Sequence, residues 1–132
     1  MAESTAPSPH TPRRMLVTGG AGFIGCNFVR LVLESDPALR VTTLDALTYA
    51  GNLANLANVE ATHGTRHRFV QGNICDQQLV ERLLSEGSVD TVVHFAAESH
   101  VDRSIDGPAA FVQTNVTGTM TLLQAARKAW GD

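Results

Sequence analysis

Gly20-Ala21-Gly22-Phe23-Ile24-Gly25 spells G-x-G-x-x-G, and Gly19, Gly22 and Gly25 give the overlapping G-x-x-G-x-x-G. Glycines at this spacing permit a tight turn, let the backbone approach a pyrophosphate, and let a helix pack closely on a strand. The phosphates would sit on unpaired N–H groups at the positive end of a helix dipole. Alone, the pattern is equally a flexible loop. What sets it apart is Asp45, 20 positions after Gly25, closing the run Val41-Thr42-Thr43-Leu44. A carboxylate there accepts hydrogen bonds from ribose 2′- and 3′-hydroxyls and repels a 2′-phosphate. No Arg or Lys follows within several residues to neutralise such a phosphate. These features point to NAD rather than NADP, against the plainer alternative of a solvated strand-end aspartate.

A second group of ionisable residues follows an apolar run: Ala96-Ala97-Glu98-Ser99-His100-Val101-Asp102-Arg103-Ser104. Small Ala96 and Ala97 would let the backbone pass close to a nicotinamide ribose. Ser99, His100 and Arg103 could bind substrate hydroxyls or phosphates. An ordinary polar loop with an Asp102-Arg103 charge balance is the competing explanation. His94, inside the apolar run, reads as a satisfied core histidine rather than a ligand.

These groups need strands and helices to position them. Residues 1–13, rich in Ser, Thr, Pro and Ala with prolines at 7, 9 and 12, read as a disordered tail. Met15-Leu16-Val17 is a strand apolar on both faces, as in a buried parallel sheet. The helix that opens at the glycines should end near Ser35-Asp36-Pro37. A second strand over residues 40–44 delivers Asp45, and residues 46–65 read as a loop with one short helical turn. Arg66, His67 and Arg68 read as a solvated loop leading into a strand at Phe69-Val70-Gln71-Gly72. Asp76 N-caps a helix to about Glu86 with Leu79, Val80, Leu83 and Leu84 on one stripe. Residues 89–97 form a fourth strand, and Pro108 starts a long helix to Trp130, apolar at Phe111, Val112, Val116, Leu122, Leu123, Ala126 and Trp130. This alternation predicts an α/β, Rossmann-type doubly wound parallel sheet over residues 14–132 with strand order 3-2-1-4. The apolar edge of the fourth strand would lie uncovered, so the chain is expected to be the N-terminal portion of a longer protein.

The 132 residues amount to one domain or a piece of one, and 43% hydrophobic content suits a globular α/β protein. A net charge of −3 gives no electrostatic footprint for nucleic acid. No apolar run is long enough to cross a bilayer, and no charged-then-apolar signal peptide is visible. Cys26 and Cys75 lack metal or redox spacing, so they read as buried reduced thiols of a cytoplasmic protein.

TGGAGFIG, LDALTYAGN, GNICD, HFAAESHVDRSI and TNVTGTMTLLQAAR together resemble the nucleotide-sugar branch of the extended short-chain dehydrogenases/reductases, and within it the dTDP-glucose 4,6-dehydratase family. The resemblance runs from Arg14 to Trp130. It implies that Gly19, Gly22, Phe23, Ile24 and Gly25 lie on the pyrophosphate and that Asp45, Ala46, Leu47 and Thr48 meet the adenosine ribose. It places Asn73 and Ile74 at the adenine, and Phe95, Ala96, Ala97, Glu98 and Ser99 along the nicotinamide side. Thr114 would contact NAD, and Ser99 would also touch a nucleotide-sugar substrate. In such relatives the long last helix helps to build a homodimer. Two departures follow from the same comparison. The family's usual aspartate before isoleucine is Asn73, which keeps an acceptor and adds donors. The family's chemistry also needs a tyrosine four residues before a lysine. The one tyrosine is Tyr49, the one lysine is Lys128, and position 53 is Leu.

The chain is therefore expected to hold parts of an NAD site without catalysing a reaction. The activity implied for the parent protein is NAD-dependent dehydration of a nucleotide sugar to its 4-keto-6-deoxy product. A nucleotide-sugar epimerase or decarboxylase of the same family, or a non-catalytic dinucleotide-binding module, is the alternative.

Overall fold

The computed structural model describes residues 9–47, 51–96, 109 and 112–131. Four strands, β1 (Arg14–Thr18), β2 (Arg40–Asp45), β3 (His67–Gln71) and β4 (Thr91–His94), form one sheet in the order β3-β2-β1-β4. All three pairings are parallel, with Met15 opposite both Val41 and Thr91 and Thr18 opposite both Leu44 and His94. This is the anticipated Rossmann-type half sheet.

Side chains alternate across a strand, so β1 feeds two cores. Met15 and Val17 pack with Val29 and Leu33 of α1 (Phe23–Ser35) and with Val59 of α2 (Ala57–His63). Leu16 points the other way, into Val80, Leu83 and Leu84 of α3 (Gln77–Glu86) and Leu122 and Ala125 of α4 (Thr119–Trp130). Leu16, Leu33, Leu44 and Leu84 are each 0–2% exposed. Burial of such side chains contributes about 1.5–3 kcal/mol apiece.

Helix ends follow the sequence closely. α1 stops at Ser35, before Asp36-Pro37. Asp76 caps α3, its Oδ1 accepting from the Leu79 N–H at 3.2 Å. Elsewhere the structure departs from expectation. Residues 46–65 hold more helix than one turn: a 3₁₀ segment, Leu53–Leu56, runs into α2. Asn52 starts it by accepting from the Ala54 N–H at 2.9 Å, and buried Leu56 and Val59 anchor it to the first core. β4 is shorter than residues 89–97: it starts at Thr91, after the Val89 N–H is taken by Leu84 O at 3.1 Å as α3 ends, and stops at His94.

The basic trio at 66–68 is not a solvated loop. His67 opens β3 and is buried, donating to or accepting from Thr43 Oγ1 at 2.8 Å and pairing through Nδ1 with Glu60. Arg66 reaches back under α1, donating to Leu33 O, Asp36 O and Leu39 O at 2.9–3.0 Å. These carbonyls lie at the end of a helix and in the turn after it, where cations are favoured.

Ahead of α4, Gln113–Gly118 is wound as a π-helix, which the sequence pattern did not announce. The proposed start at Pro108, and Phe111, lie outside the described residues. The apolar positions of this last helix also divide between two faces. Leu122 is buried, while Val112, Val116, Leu123 and Trp130 are half or more exposed. Trp130 still donates its Nε1–H to Val89 O at 2.8 Å. Beside β4, one of the two outer strands of the described sheet, a cavity of about 390 Å³ is lined by Val92, Leu122, Leu123, Ala126 and Trp130 among others. Cys26 and Cys75 are free thiols, partly rather than fully buried. Among the described residues no helix is long and apolar enough to cross a membrane.

Candidate functional site

The β1–α1 turn needs its glycines for reasons visible in the geometry. Gly19 has φ +72°, and a Cβ there would lie 2.7 Å from Ala96 N and from Phe95 C. The turn and the end of β4 therefore touch backbone to backbone. A Cβ on Gly25 would lie 2.2 Å from Gly19 O, so the start of α1 rests directly on the turn. Gly22 is the N-cap of α1 and provides no side-chain cap, and the first turn carries no acidic residue. Phe23 and Ile24, apolar residues on that first turn, are 79% and 67% exposed. An uncapped helix start of this kind is a ready acceptor site for an anion.

Asp45, the last residue of β2, is buried beside this turn. Its Oδ2 accepts from the Ala21 N–H at 2.9 Å, and its Oδ1 accepts from the Leu47 N–H at 2.8 Å. Ala46 bridges the two, and Leu47 turns with φ +57°, a left-handed conformation that the Asp45 bond helps to hold. Ala21 is tied from its other side as well: its carbonyl accepts from the Asn52 N–H at 3.0 Å and the Asn55 Nδ2–H at 2.8 Å. Asn52 and Asn55 are anchors that sequence reasoning missed. No spacing rule marks them, because they return from the helical insert between β2 and β3.

Asn73 and Ile74 follow β3. The Asn73 Oδ1 accepts from the Cys75 N–H at 2.8 Å, closing an Asx turn before α3. Ile74 is buried against Gly118, where a Cβ would come within 2.3 Å of Ile74 Cδ1. Thr114 lies in the π-helical segment that ends at Gly118. At the end of β4, the Phe95 N–H donates to Thr18 O at 2.9 Å, and the Phe95 ring packs tilted on Phe28 of α1 with centroids 5.3 Å apart. The Ala96 N–H donates to Thr18 Oγ1 at 3.2 Å. Gly19, Asp45 and Ala96 are thus gathered at the carboxyl ends of β1, β2 and β4. Thr48, Ala97, Glu98, Ser99, His100 and Arg103 lie outside the described residues.

His94 spans this region. One ring nitrogen meets Thr18 Oγ1 at 2.6 Å and the other meets Thr119 Oγ1 at 3.0 Å. Burial holds its pKa below the ordinary histidine value. That agrees with a satisfied core histidine. At the other end of β4, burial pushes Asp90 up. Hydrogen bonds from the Thr91 hydroxyl and the Arg14 and Arg13 amides, with His10 nearby, outweigh it and keep the carboxyl below its usual range. Among the described residues no group of His, Cys, Asp and Glu could hold a metal ion.

A parallel sheet ordered 3-2-1-4, with a glycine turn after β1 facing an acidic end of β2, defines a Rossmann-type α/β protein of the dinucleotide-binding kind. Within that class the sequence carries a narrower identity. The chain belongs to the family described as GDP-mannose 4,6 dehydratase, whose family model matches residues 16–132. It is 60% identical over 116 residues to a dTDP-glucose 4,6-dehydratase of Xanthomonas campestris pv. campestris, covering 87% of this chain and 32% of that protein. A Streptomyces venezuelae dTDP-glucose 4,6-dehydratase, solved with NAD and TYD bound, superposes with a TM-score of 0.82. The two are 58% identical, over 89% of this chain and 36% of the other. A UDP-glucose 4-epimerase of Thermotoga maritima, solved with UDP-glucose, gives a TM-score of 0.77 at 33% identity, over 88% of this chain and 34% of the other. The chain thus spans about a third of the length of the relatives it matches.

Proposed function

We propose that this chain binds NAD at the carboxyl edge of its sheet and forms the cofactor-holding part of a cytoplasmic NAD-dependent dTDP-glucose 4,6-dehydratase. The observation that carries the reading is the Asp45 carboxylate lodged against the glycine turn at Ala21. Two of its lone-pair positions are taken by backbone N–H groups, and a carboxylate has about four. The remainder suit ribose hydroxyls. The uncapped start of α1 suits the pyrophosphate, with Gly19, Gly22, Phe23, Ile24 and Gly25 around it. Asn73 and Ile74 would meet the adenine, Phe95 to Ser99 would line the nicotinamide side, and Thr114 would contact NAD.

NAD, when bound, supplies a reversible hydride acceptor. This chain's residues bind and orient it. In the whole enzyme, hydride removal from sugar C4 would acidify C5 and permit loss of water across C5 and C6. Return of the hydride to C6 and of a proton to C5 would complete the 4-keto-6-deoxy sugar. Ser99, His100 and Arg103 would contact the nucleotide sugar. A tyrosine and lysine four residues apart, absent here, would carry the proton chemistry. The chain alone would bind without turning over. Identity of 58–60% to dTDP-glucose dehydratases against 33% to an epimerase favours dehydration over epimerisation.

A second copy of the chain would dock on α4 and the turn before it. Val116 in the π-helical segment and Met120, Leu123 and Trp130 on α4 are exposed apolar side chains that such a partner would cover. Sedimentation should then show a dimer that Leu123→Glu dissociates.

Calorimetric titration tests the cofactor reading. NAD should bind at least roughly tenfold tighter than NADP, since Asp45 would repel a 2′-phosphate. Equal or tighter binding of NADP would overturn it. Coding sequence running past Asp132 into Tyr-x-x-x-Lys would remove the alternative of a non-catalytic dinucleotide-binding module, whereas a stop there would favour it.

A further inference from the structure

Thr18 and His94 are register partners across β1 and β4, and their side chains join a chain of hydrogen bonds with a definite direction. The Ala96 N–H donates to Thr18 Oγ1, so that oxygen is already an acceptor. Thr119 donates its hydroxyl hydrogen to Asn115 O at 2.9 Å, which leaves its lone pairs to accept. The consistent arrangement has Thr18 donating to His94 Nδ1 and His94 Nε2–H donating to Thr119. Thr18 is fully buried, so a hydroxyl hydrogen displaced from Nδ1 would face no solvent.

We propose that His94 is a positioning residue: as a neutral Nε2–H imidazole between Thr18 and Thr119, it ties the end of β4 to α4. The tie fixes the Ala96 backbone beside the glycine turn. Protonation would turn Nδ1 into a donor facing Thr18 and reverse the first link. Burial, which lowers the affinity of this ring for a proton, keeps the neutral form in place. Among the described residues no charged group faces the ring from β1 or α4. The nearest titratable neighbours lining the same cavity are Asp90 and His10, which lie at the far end of β4 and pair with each other at 3.8 Å. Any effect of the clamp on cofactor affinity rests on the NAD reading; the clamp itself does not.

Ring-nitrogen NMR of the ¹⁵N-labelled chain reads the tautomer directly. The expected spectrum is that of a neutral Nε2–H imidazole at pH 7, with the ring taking up a proton at lower pH than a free histidine does. An Nδ1–H tautomer, or an imidazolium at pH 7, would overturn the proposal. Amide exchange supplies the second readout. His94→Leu should speed exchange at Ala96 at least tenfold more than at Val29 and Leu33, and His94→Gln, which can accept and donate across the same gap, should restore it. Thr119→Val, which removes the acceptor for His94 Nε2–H together with the bond to Asn115 O but leaves the Thr18–His94 link, should give a smaller acceleration of the same kind should the leucine variant fail to fold. Equal acceleration at all three amides, or none at Ala96, would reduce His94 to general packing and sink the idea. With NAD, His94→Leu should weaken binding at least threefold and His94→Gln less than twofold. If the unaltered chain binds no NAD, the cofactor reading falls, while the spectrum and the Ala96 exchange still decide the clamp.

Discussion

Asp45 and Ala21 are 24 residues apart in sequence, and a carboxylate oxygen of one lies 2.9 Å from the amide nitrogen of the other. The end of the second strand therefore shapes the turn after the first, before any ligand arrives. Asp45→Asn is nearly isosteric but sets an NH₂ group against one of two N–H donors. Loss of one charge-assisted bond in a buried place costs about 1.5–3 kcal/mol, a drop of roughly 5–10 °C in Tm for a domain of this size. The preference for NAD over NADP should shrink in the same variant. Thermal unfolding and paired titrations check both. An unchanged Tm would show that the turn holds its shape without this bond.

Gly25 makes a sharper case. Because a Cβ there would stand 2.2 Å from Gly19 O, a backbone atom, the alanine variant cannot be relieved by swinging a side chain. Gly25→Ala should destabilise by roughly 1–3 kcal/mol or more through overpacking and weaken NAD binding, since α1 must lift from the turn. Gly131→Ala is the control. It has φ +77° with nothing within 4 Å of the added carbon, so it carries only backbone strain.

Arg66 donates to three carbonyls at and beyond the end of α1. Arg66→Ala should cost about 2–3 kcal/mol in urea unfolding by leaving those acceptors short of partners. Arg66→Lys should recover little, because an ammonium lacks the fork that spans them. This residue also shows where sequence reasoning ends. Strand order, the Asp76 cap, the stop at Pro37 and the meeting of Asp45 with the glycine turn were legible, because each follows from local pattern or a fixed turn chemistry. The roles of Arg66, His67 and Asn55 were not, because each is set by a partner about 24 to 34 residues away, on another element. A basic trio looks solvated until the helix end above it is known. The π-helical segment was hidden for a related reason: its start and Gly118 are fitted to Ile74 and Cys75, which belong to a different part of the chain.

Asp90 predicts acid sensitivity with a definite sign. Its folded pKa lies below the usual 3.8, so the folded chain binds fewer protons here than the unfolded one. The stabilisation from Asp90 is therefore fully present above pH 3.8 and is lost as the pH falls through the folded value. Asp90→Asn should lower Tm at neutral pH and differ progressively less from the unaltered chain below pH 3.8, the two curves converging in strong acid. A constant gap down to the lowest pH would assign the effect to packing instead.

Asn73 offers a gain rather than a loss. Its side-chain oxygen already accepts from the Cys75 N–H, so one lone pair and the NH₂ are left to face an adenine. The exocyclic amine of adenine is itself a donor, and two donors do not pair. Asn73→Asp keeps an oxygen for the turn and presents a second acceptor, as the family's usual aspartate would. A single added hydrogen bond is worth about 0.5–1.5 kcal/mol net, so NAD should bind roughly two- to tenfold tighter by calorimetry. Nicotinamide mononucleotide, which lacks adenine, should bind both forms alike. An equal gain for both ligands would place the benefit in the added negative charge near the start of α3 rather than at the base. No gain for either would remove Asn73 from the adenine site.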